Sequence, residues 1–316
     1  MHSLSPPADA DLVPAALSLV PAWASTPFGS SRWHTVRPHD GTILRASTGS
    51  GLCGIAATVP GAVFLDRGAF EGRVLDAYAA VLGELLRAGY HPLRFWNFIP
   101  GINEAIEPGL SRYMAFNAAR HAGYRAMYAA AGALPAAIAT ASGVGAPGDA
   151  FEVYGVGTRR RALAVENPRQ VPAYEYSPKY GPLPPCFARA MLTRSPSPLL
   201  VIGGTASVRG EESMHVHSLS RQLDETLLNL ETLIGVACTI SGRRRLQRNA
   251  LGALVSVRAY VVDEGTGAGV RDALAHACGL PAREIDVHVT ELCRPDLLVE
   301  IEGVAALDRV AGGEGV

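Results

Sequence analysis

The chain has 316 residues, 48% hydrophobic and 18% charged, with 28 Lys and Arg against 29 Asp and Glu. That length and apolar content exclude a disordered chain and suit two domains with buried cores. A net charge of -1 excludes the overall basic field of a nucleic-acid binder, and no run reaches the roughly 20 apolar residues of a membrane span.

Arg159-Arg160-Arg161 and Arg243-Arg244-Arg245 read as solvated loop charges. Five cysteines, Cys53, Cys186, Cys238, Cys278 and Cys293, contain no CxxC pair. They point to a reducing compartment, with neither a disulfide framework nor a zinc cage. The apolar stretch from Leu12 to Ala24 is broken by Pro14 and Pro21 and follows acidic Asp9 and Asp11, which makes a poor signal peptide. A soluble cytoplasmic protein is the expectation.

Residues 1 to about 35 read as an irregular lead-in rich in Pro, Ser and Ala. Thr42 to Asp66 reads as strands and a hairpin. Leu75, Tyr78, Leu82 and Leu85, spaced three and four apart, predict an amphipathic helix that Gly89 stops. A strand at Leu93 to Ile99, a helix from about Ser111 to Ala131, and a strand pair at Leu134 to Ala141 and Ala150 to Val156 complete the first half. The glycine-rich run Ser142 to Gly148 joins that last pair.

The second half repeats this order. It has a strand at Leu199 to Ile202, a helix with Leu223, Leu227, Leu230 and Ile234 on one face, and a strand at Leu254 to Val262. A helix from about Gly269 to Cys278 and strands at Ile285 to Leu292 and Leu297 to Val304 follow. Pro147-x-x-x-x-Glu152-Val-x-Gly-Val156 matches Pro295-x-x-x-x-Glu300-Ile-x-Gly-Val304 in spacing. We read the chain as an internal duplication of two α+β units, residues 1–157 and 158–316, each a sheet with two helices on one face. Gln170 to Arg189, dense in Pro and Tyr, is expected to pack across the seam, a favoured place for small-molecule sites.

Glu300 sits in an apolar run. On a strand, Leu298, Glu300 and Glu302 share one face and Val299 and Ile301 the other, so Glu300 is at least partly buried. Either it pairs with an arginine at a sheet edge, or burial raises its pKa and it is an acid able to protonate a substrate at neutral pH.

Tyr113, Asn117, Arg120 and Tyr124 fall on one helix face amid small residues, an exposed polar stripe or a ligand surface. Arg189, between apolar residues, needs an anionic partner if buried, and two such arginines suit a dicarboxylate. Ile202 to Ser207 is either a tight strand end or a place where backbone N–H groups approach a ligand oxygen. Gly143 to Gly148 satisfies GxGxxG but does not open a helix, so it is not a dinucleotide fingerprint. His215 and His217 would share a strand face, yet no third metal ligand stands at suitable spacing.

Arg94-Phe-Trp-Asn-Phe-Ile-Pro100, Arg112-Tyr-Met-Ala-Phe-Asn-Ala-Ala-Arg-His121, Ala141-Ser-Gly-Val-Gly145, Ala173-Tyr-Glu-Tyr-Ser-Pro178, Tyr180-Gly-Pro182, Phe187-Ala-Arg-Ala190, Gly204-Thr-Ala-Ser207 and the helix Gln222 to Asn229 occur in order between about residues 90 and 304. Together they resemble the chorismatase family, enzymes that remove the enolpyruvyl group of chorismate as pyruvate on a fold related to YjgF/RidA proteins. The resemblance implies two YjgF/RidA-like units with the ligand site at the inter-domain seam. It implies substrate held by Tyr113 with Arg120 and Tyr176 with Arg189, Thr205 and Ala206 near the substrate, and Glu300 as the proton-transferring acid. No metal or organic cofactor is implied. The expected partner is the small molecule chorismate, with no nucleic acid or membrane, for a monomer or small homo-oligomer.

Cys293, seven residues before Glu300, marks the branch of the family that releases 3-hydroxybenzoate; Ala206 stands where that branch favours Gly. The expected main product is 3-hydroxybenzoate, with some 4-hydroxybenzoate. The alternatives are a chorismatase releasing a non-aromatic dihydroxycyclohexadiene carboxylate, a RidA-like imine hydrolase, and a non-enzymatic binder.

Overall fold

The computed structural model describes residues 16–26, 33–36, 42–49, 51–128, 137–243 and 250–308. The first fifteen residues, Arg244 and Arg245, and the start of the strand expected at Leu134 lie outside them. Two short helices, α1 (Ala16–Leu19) and α2 (Ala22–Ser25), come first. The first unit then runs β1 (His34–Val36), β2 (Ile43–Gly49), β3 (Leu52–Val59), α3 (Arg67–Arg87), β4 (His91–Pro100), a hairpin of β5 (Ala105–Glu107) and β6 (Leu110–Ser111), α4 (Arg112–Tyr128), β7 (Thr140–Ala146) and β8 (Phe151–Thr158). The second has β9 (Leu163–Val165), β10 (Ala190–Leu192), β11 (Leu199–Ala206), a hairpin of β12 (Val208–Arg209) and β13 (Glu212–Ser213), α5 (Leu219–Ile240), β14 (Leu254–Val261), α6 (Gly267–Cys278), β15 (Ile285–Val289) and β16 (Val299–Ala306).

The strand orders are β1-β2-β3-β8-β4-β7 and, written from its other edge, β9-β10-β11-β16-β14-β15. The two sheets correspond strand for strand. In each, a helix carries the chain between the parallel pair, β4 with β7 through α4 and β14 with β15 through α6. The paired motifs found in the sequence occupy equivalent strands, Glu152 on β8 and Glu300 on β16.

Side-chain alternation sorts the strand residues into three cores. On β4, Leu93, Phe95 and Ile99 pack with Phe70, Val74, Val81 and Leu85 of α3 and Phe116 of α4. On β16, Val299, Ile301 and Ala305 pack with Leu230 and Ile234 of α5 and Leu274 of α6. The opposite faces meet in a third core, where Trp96, Phe98, Val144, Tyr154 and Val156 of the first sheet pack with Ala206 and Tyr260 of the second and with Leu292 and Leu297. Helices α3 to α6 therefore lie outside and the sheets face one another, which puts Arg94, Trp96 and Phe98 of β4 and both glutamates of β16 at the seam.

Three expectations change. The lead-in is partly ordered: Pro21 splits α1 from α2, Trp23 packs against Trp96 with ring centroids 5.4 Å apart, and the Tyr154 hydroxyl donates to the Ala24 carbonyl at 2.9 Å. Ser142 to Ala146 is strand rather than turn, since Thr140 to Ala146 pairs in parallel with Arg94 to Pro100. Glycine is used there for space, because a Cβ at Gly143 would stand 3.3 Å from the Tyr113 ring. His215 and His217 lie in a turn, both with left-handed φ, so they share no strand face. Among the described residues no helix is long and apolar enough to cross a membrane.

Candidate active site

A cavity of about 530 Å³ opens at the seam. Its wall comes from both halves: Tyr113 and Met114 of α4, Tyr176, Phe187 and Arg189 of the connecting segment, Gly204 and Ala206 of β11, the loop Cys293 to Leu297, and Glu300 of β16. The segment from Gln170 to Arg189 does pack across the seam. Cys186, Phe187 and Ala188 join the first unit's core, while the Val171 amide donates to Gly210 and the Ser177 hydroxyl to Glu211 of the second.

Strand alternation aims Glu300 inward, and β16 lies between β11 and β14, so its carboxyl is buried. Burial first, and the neighbouring Glu302 second, push its pKa up to about 8. It is the buried acid of the two sequence alternatives: Arg94 is given to Glu302 instead, at 2.6 Å. The Cys293 thiol lies 3.9 Å from Glu300 Oε2 as its hydrogen-bond donor. Burial and then the Glu300 charge push that thiol up to about 12, so Cys293 is S–H and not a thiolate nucleophile.

Arg189 is buried, donates from Nη2 to the Tyr176 hydroxyl at 2.7 Å and to the Val171 carbonyl at 2.9 Å, and keeps a buried Nε without a partner among the described residues. The second cavity guanidinium is Arg294. Its Nη1 donates to the Glu211 carbonyl at 2.8 Å, and it stacks 4.1 Å from the Tyr180 ring centroid. Lys179 also reaches the wall. The positive lining favours an anionic ligand.

Tyr113, Tyr176, Arg189, Ala206, Cys293 and Glu300 are brought together as the sequence suggested. Arg120 and Thr205 are not in the wall. Arg120 lies behind it, donating to Asn117 Oδ1 at 2.9 Å, with its guanidinium over the rings of Phe116 and of the wall residue Phe187. The polar stripe of α4 is thus buried, where small residues admit it. Thr205 alternates away from the cavity and donates to the Gly203 carbonyl at 3.0 Å. Sequence reasoning missed Arg294, although it adjoins Cys293 in the loop before the acid's strand. It also missed the closeness of Gly204, where a Cβ would stand 1.9 Å from Glu300 Oε1.

The matched segments of the resemblance buttress this wall. Gln222 of α5 donates to the Asp296 carbonyl at 2.8 Å and accepts the Leu298 amide at 2.8 Å, fixing the loop that leads into Glu300. Asn229, two turns on, donates to the carbonyls of Ala206 at 3.1 Å and Val208 at 2.9 Å.

Comparison with known proteins agrees with this architecture. Residues 35–156 match the family described as chorismatase FkbO/Hyg5-like, N-terminal. A chorismatase of Streptomyces rapamycinicus is 31% identical over 285 residues, covering 87% of this chain and 81% of that one. A 3-hydroxybenzoate synthase of Streptomyces hygroscopicus is 33% identical over 235 residues, covering 72% and 67%. A chorismatase crystal structure at 24% identity superposes over 86% of this chain and 79% of its own with a TM-score of 0.68, which speaks to the fold. On the extent of its likeness to these relatives, the chain belongs to the chorismatase family.

Proposed function

We propose that this protein is an enzyme that cleaves chorismate to pyruvate and a ring product by acid-initiated attack on the enolpyruvyl ether. The observation that carries the reading is Glu300, a buried carboxyl held protonated to about pH 8 and lining a cavity that also presents Arg189 and Arg294. A vinyl ether needs a proton delivered to carbon, and a neutral acid at fixed position supplies it without the solvent reorganisation that water would require.

Arg189 and Arg294 meet the two carboxylates of chorismate, and Arg120, one layer back, adds positive potential and supports Tyr113 and Phe187. Tyr113, whose phenol is kept neutral chiefly by burial, and Tyr176, tied to Arg189, orient the ring and the enolpyruvyl arm. Glu300 protonates the terminal methylene, which becomes the methyl of pyruvate. Then either water adds to the oxocarbenium-like carbon and the adduct expels the ring alcohol, or the ring's own hydroxyl displaces the ether oxygen from its ring carbon. In the second route the ring C–O bond breaks, pyruvate leaves and the ring then aromatises. In both routes the proton of the attacking O–H returns to Glu300. The site residues belong to residues 1–157 and 158–316 jointly, a division this reading retains.

For the product we favour 3-hydroxybenzoate, with some 4-hydroxybenzoate. The specific support is the Cys293 S–H beside Glu300, in the position that marks the aromatising branch. Ala206, in the wall where that branch favours Gly, speaks for the diene. The aromatic acid and pyruvate together are isomeric with chorismate, whereas the diene branch consumes one water.

A coupled pyruvate assay, with chromatography of the ring product, tests the reading. Turnover with an aromatic acid as product supports it; turnover giving only the diene overturns the Cys293 assignment. No pyruvate from folded wild-type protein overturns the enzyme.

A further inference from the structure

The seam holds two carboxyls on one face of β16, two positions apart, and the cavity mechanism uses one. Glu302 is buried and surrounded by donors from the other unit. Its Oε2 accepts from Arg94 Nη2 at 2.6 Å and from Ser142 Oγ at 2.6 Å, and its Oε1 accepts from Trp96 Nε1 at 2.8 Å. Arg94 is itself buried, donates also to Ser142 Oγ at 2.5 Å, and lies 4.6 Å from the Trp96 ring centroid.

The other charged groups facing this pair take their hydrogen bonds elsewhere, although the Arg258 charge also attracts Glu302 and the Arg294 charge Glu300. From β14, Arg258, opposite Glu302 in register, turns to Asp286 and the Leu19 carbonyl, and Tyr260, opposite Glu300, has a neutral phenol. From β11, Gly204 and Ala206 bring no charge. From α4 and the last loop come the Tyr113 phenol, the Cys293 thiol and Arg294, the last bound to Glu211 and Ser213. The seam therefore holds two buried carboxyls, and three donor bonds, one of them from the Arg94 cation, are fixed on Glu302. A carboxylate fixed there disfavours ionisation of Glu300 beside it.

We propose that Glu302 is a positioning residue for catalysis: its charge, locked in place by Arg94, Trp96 and Ser142, makes Glu300 the carboxyl that keeps the proton. This rests on the reading of Glu300 as the acid. It gives the inter-unit ion pair a chemical task in addition to joining the sheets, since the first unit would tune an acid that the second one carries.

The test compares wild type with Glu302→Gln in the pH dependence of kcat on chorismate. The alkaline limb, where the acid loses its proton, moves to lower pH by about one unit or more, so that the ratio of kcat at pH 8 to kcat at pH 6 falls about fivefold or more while KM changes little. A limb that stays put in folded Glu302→Gln, or a loss of rate uniform in pH, overturns the proposal in favour of a purely structural Glu302.

If Glu302→Gln does not fold, Arg94→Met with Glu302→Gln leaves no unpaired buried charge, and its limb shifts in the same direction by less. An infrared titration of the carboxylic-acid C=O band needs no substrate. Burial also pushes Glu166 up to about 7, so the Glu300 band is read as the difference between wild type and Glu300→Gln; in Glu302→Gln that band is lost at lower pH than in wild type. An unshifted band overturns the tuning role even if chorismate is not turned over, so failure of the substrate assignment and failure of this inference are read separately.

Discussion

Glu300 and Gly204 form the smallest functional unit of the site. With a value near 8 in the folded chain against 4.5 for an ordinary Glu, the native state holds an extra proton between those limits. Stability is therefore highest below about pH 4.5 as far as this group is concerned, and falls as pH rises through about 8, where the folded protein must ionise a buried carboxyl. Glu300→Gln removes that cost. We expect the variant to be more stable than wild type at pH 8.5 by a few kcal/mol, with little difference at pH 5, in urea denaturation, and to lose chorismate turnover by about 100-fold or more. Equal stabilities at both pH values would mean that the carboxyl is not held neutral by the fold. Gly204→Ala tests the same contact from the other side. Its methyl would overlap the carboxyl, 1.9 Å from Oε1, so we expect kcat to fall on the order of 100-fold with circular dichroism unchanged.

Among the elements, α5 shows how a helix distant in sequence fixes the chemistry. Gln222 is wholly buried and holds both the Asp296 carbonyl and the Leu298 amide. Gln222→Leu leaves two half-buried backbone groups without their side-chain partner, and each costs up to about 1–3 kcal/mol. The expected outcome is a lower denaturation midpoint with kcat reduced as the loop before Glu300 loosens; an unaffected kcat would show that β16 alone places the acid. Much of this element scale was legible. Leucines at period 3.6 mark α3 and α5, and alternation in an apolar run puts Glu300 and Glu302 on one face from the sequence alone. Alternation names a face, however, not its partner, so the assignment of Arg94 to Glu302 across 208 residues of chain was out of reach. The polar stripe of α4 was similarly ambiguous, because burial of Arg120 depends on Phe187 arriving from another segment. Ser142 to Ala146 misread as a turn because glycine signals both left-handed backbone and close packing, and here it serves packing.

At the scale of the molecule, two helix-backed sheets cover each other's inner faces, with Val20, Trp23 and Ala24 of the lead-in completing the seam. That explains why the strands at the seam are so apolar, with polar exceptions that include the cluster of Arg94, Ser142, Glu300 and Glu302. A single unit would expose the third core to water, whereas joined they enclose a cavity that neither could form alone. The ion pair between Arg94 and Glu302 is the polar link in that closure, and its energetic sign depends on how it is broken. Arg94→Met strips the cation from a carboxylate fully removed from water, which costs about 3–5 kcal/mol, whereas Arg94→Met with Glu302→Gln removes both charges and recovers most of that loss. Chemical denaturation of the two variants beside wild type measures this directly. A double variant as unstable as Arg94→Met would mean that the seam is held by the Arg94 side chain's packing against Trp96 and not by its charge.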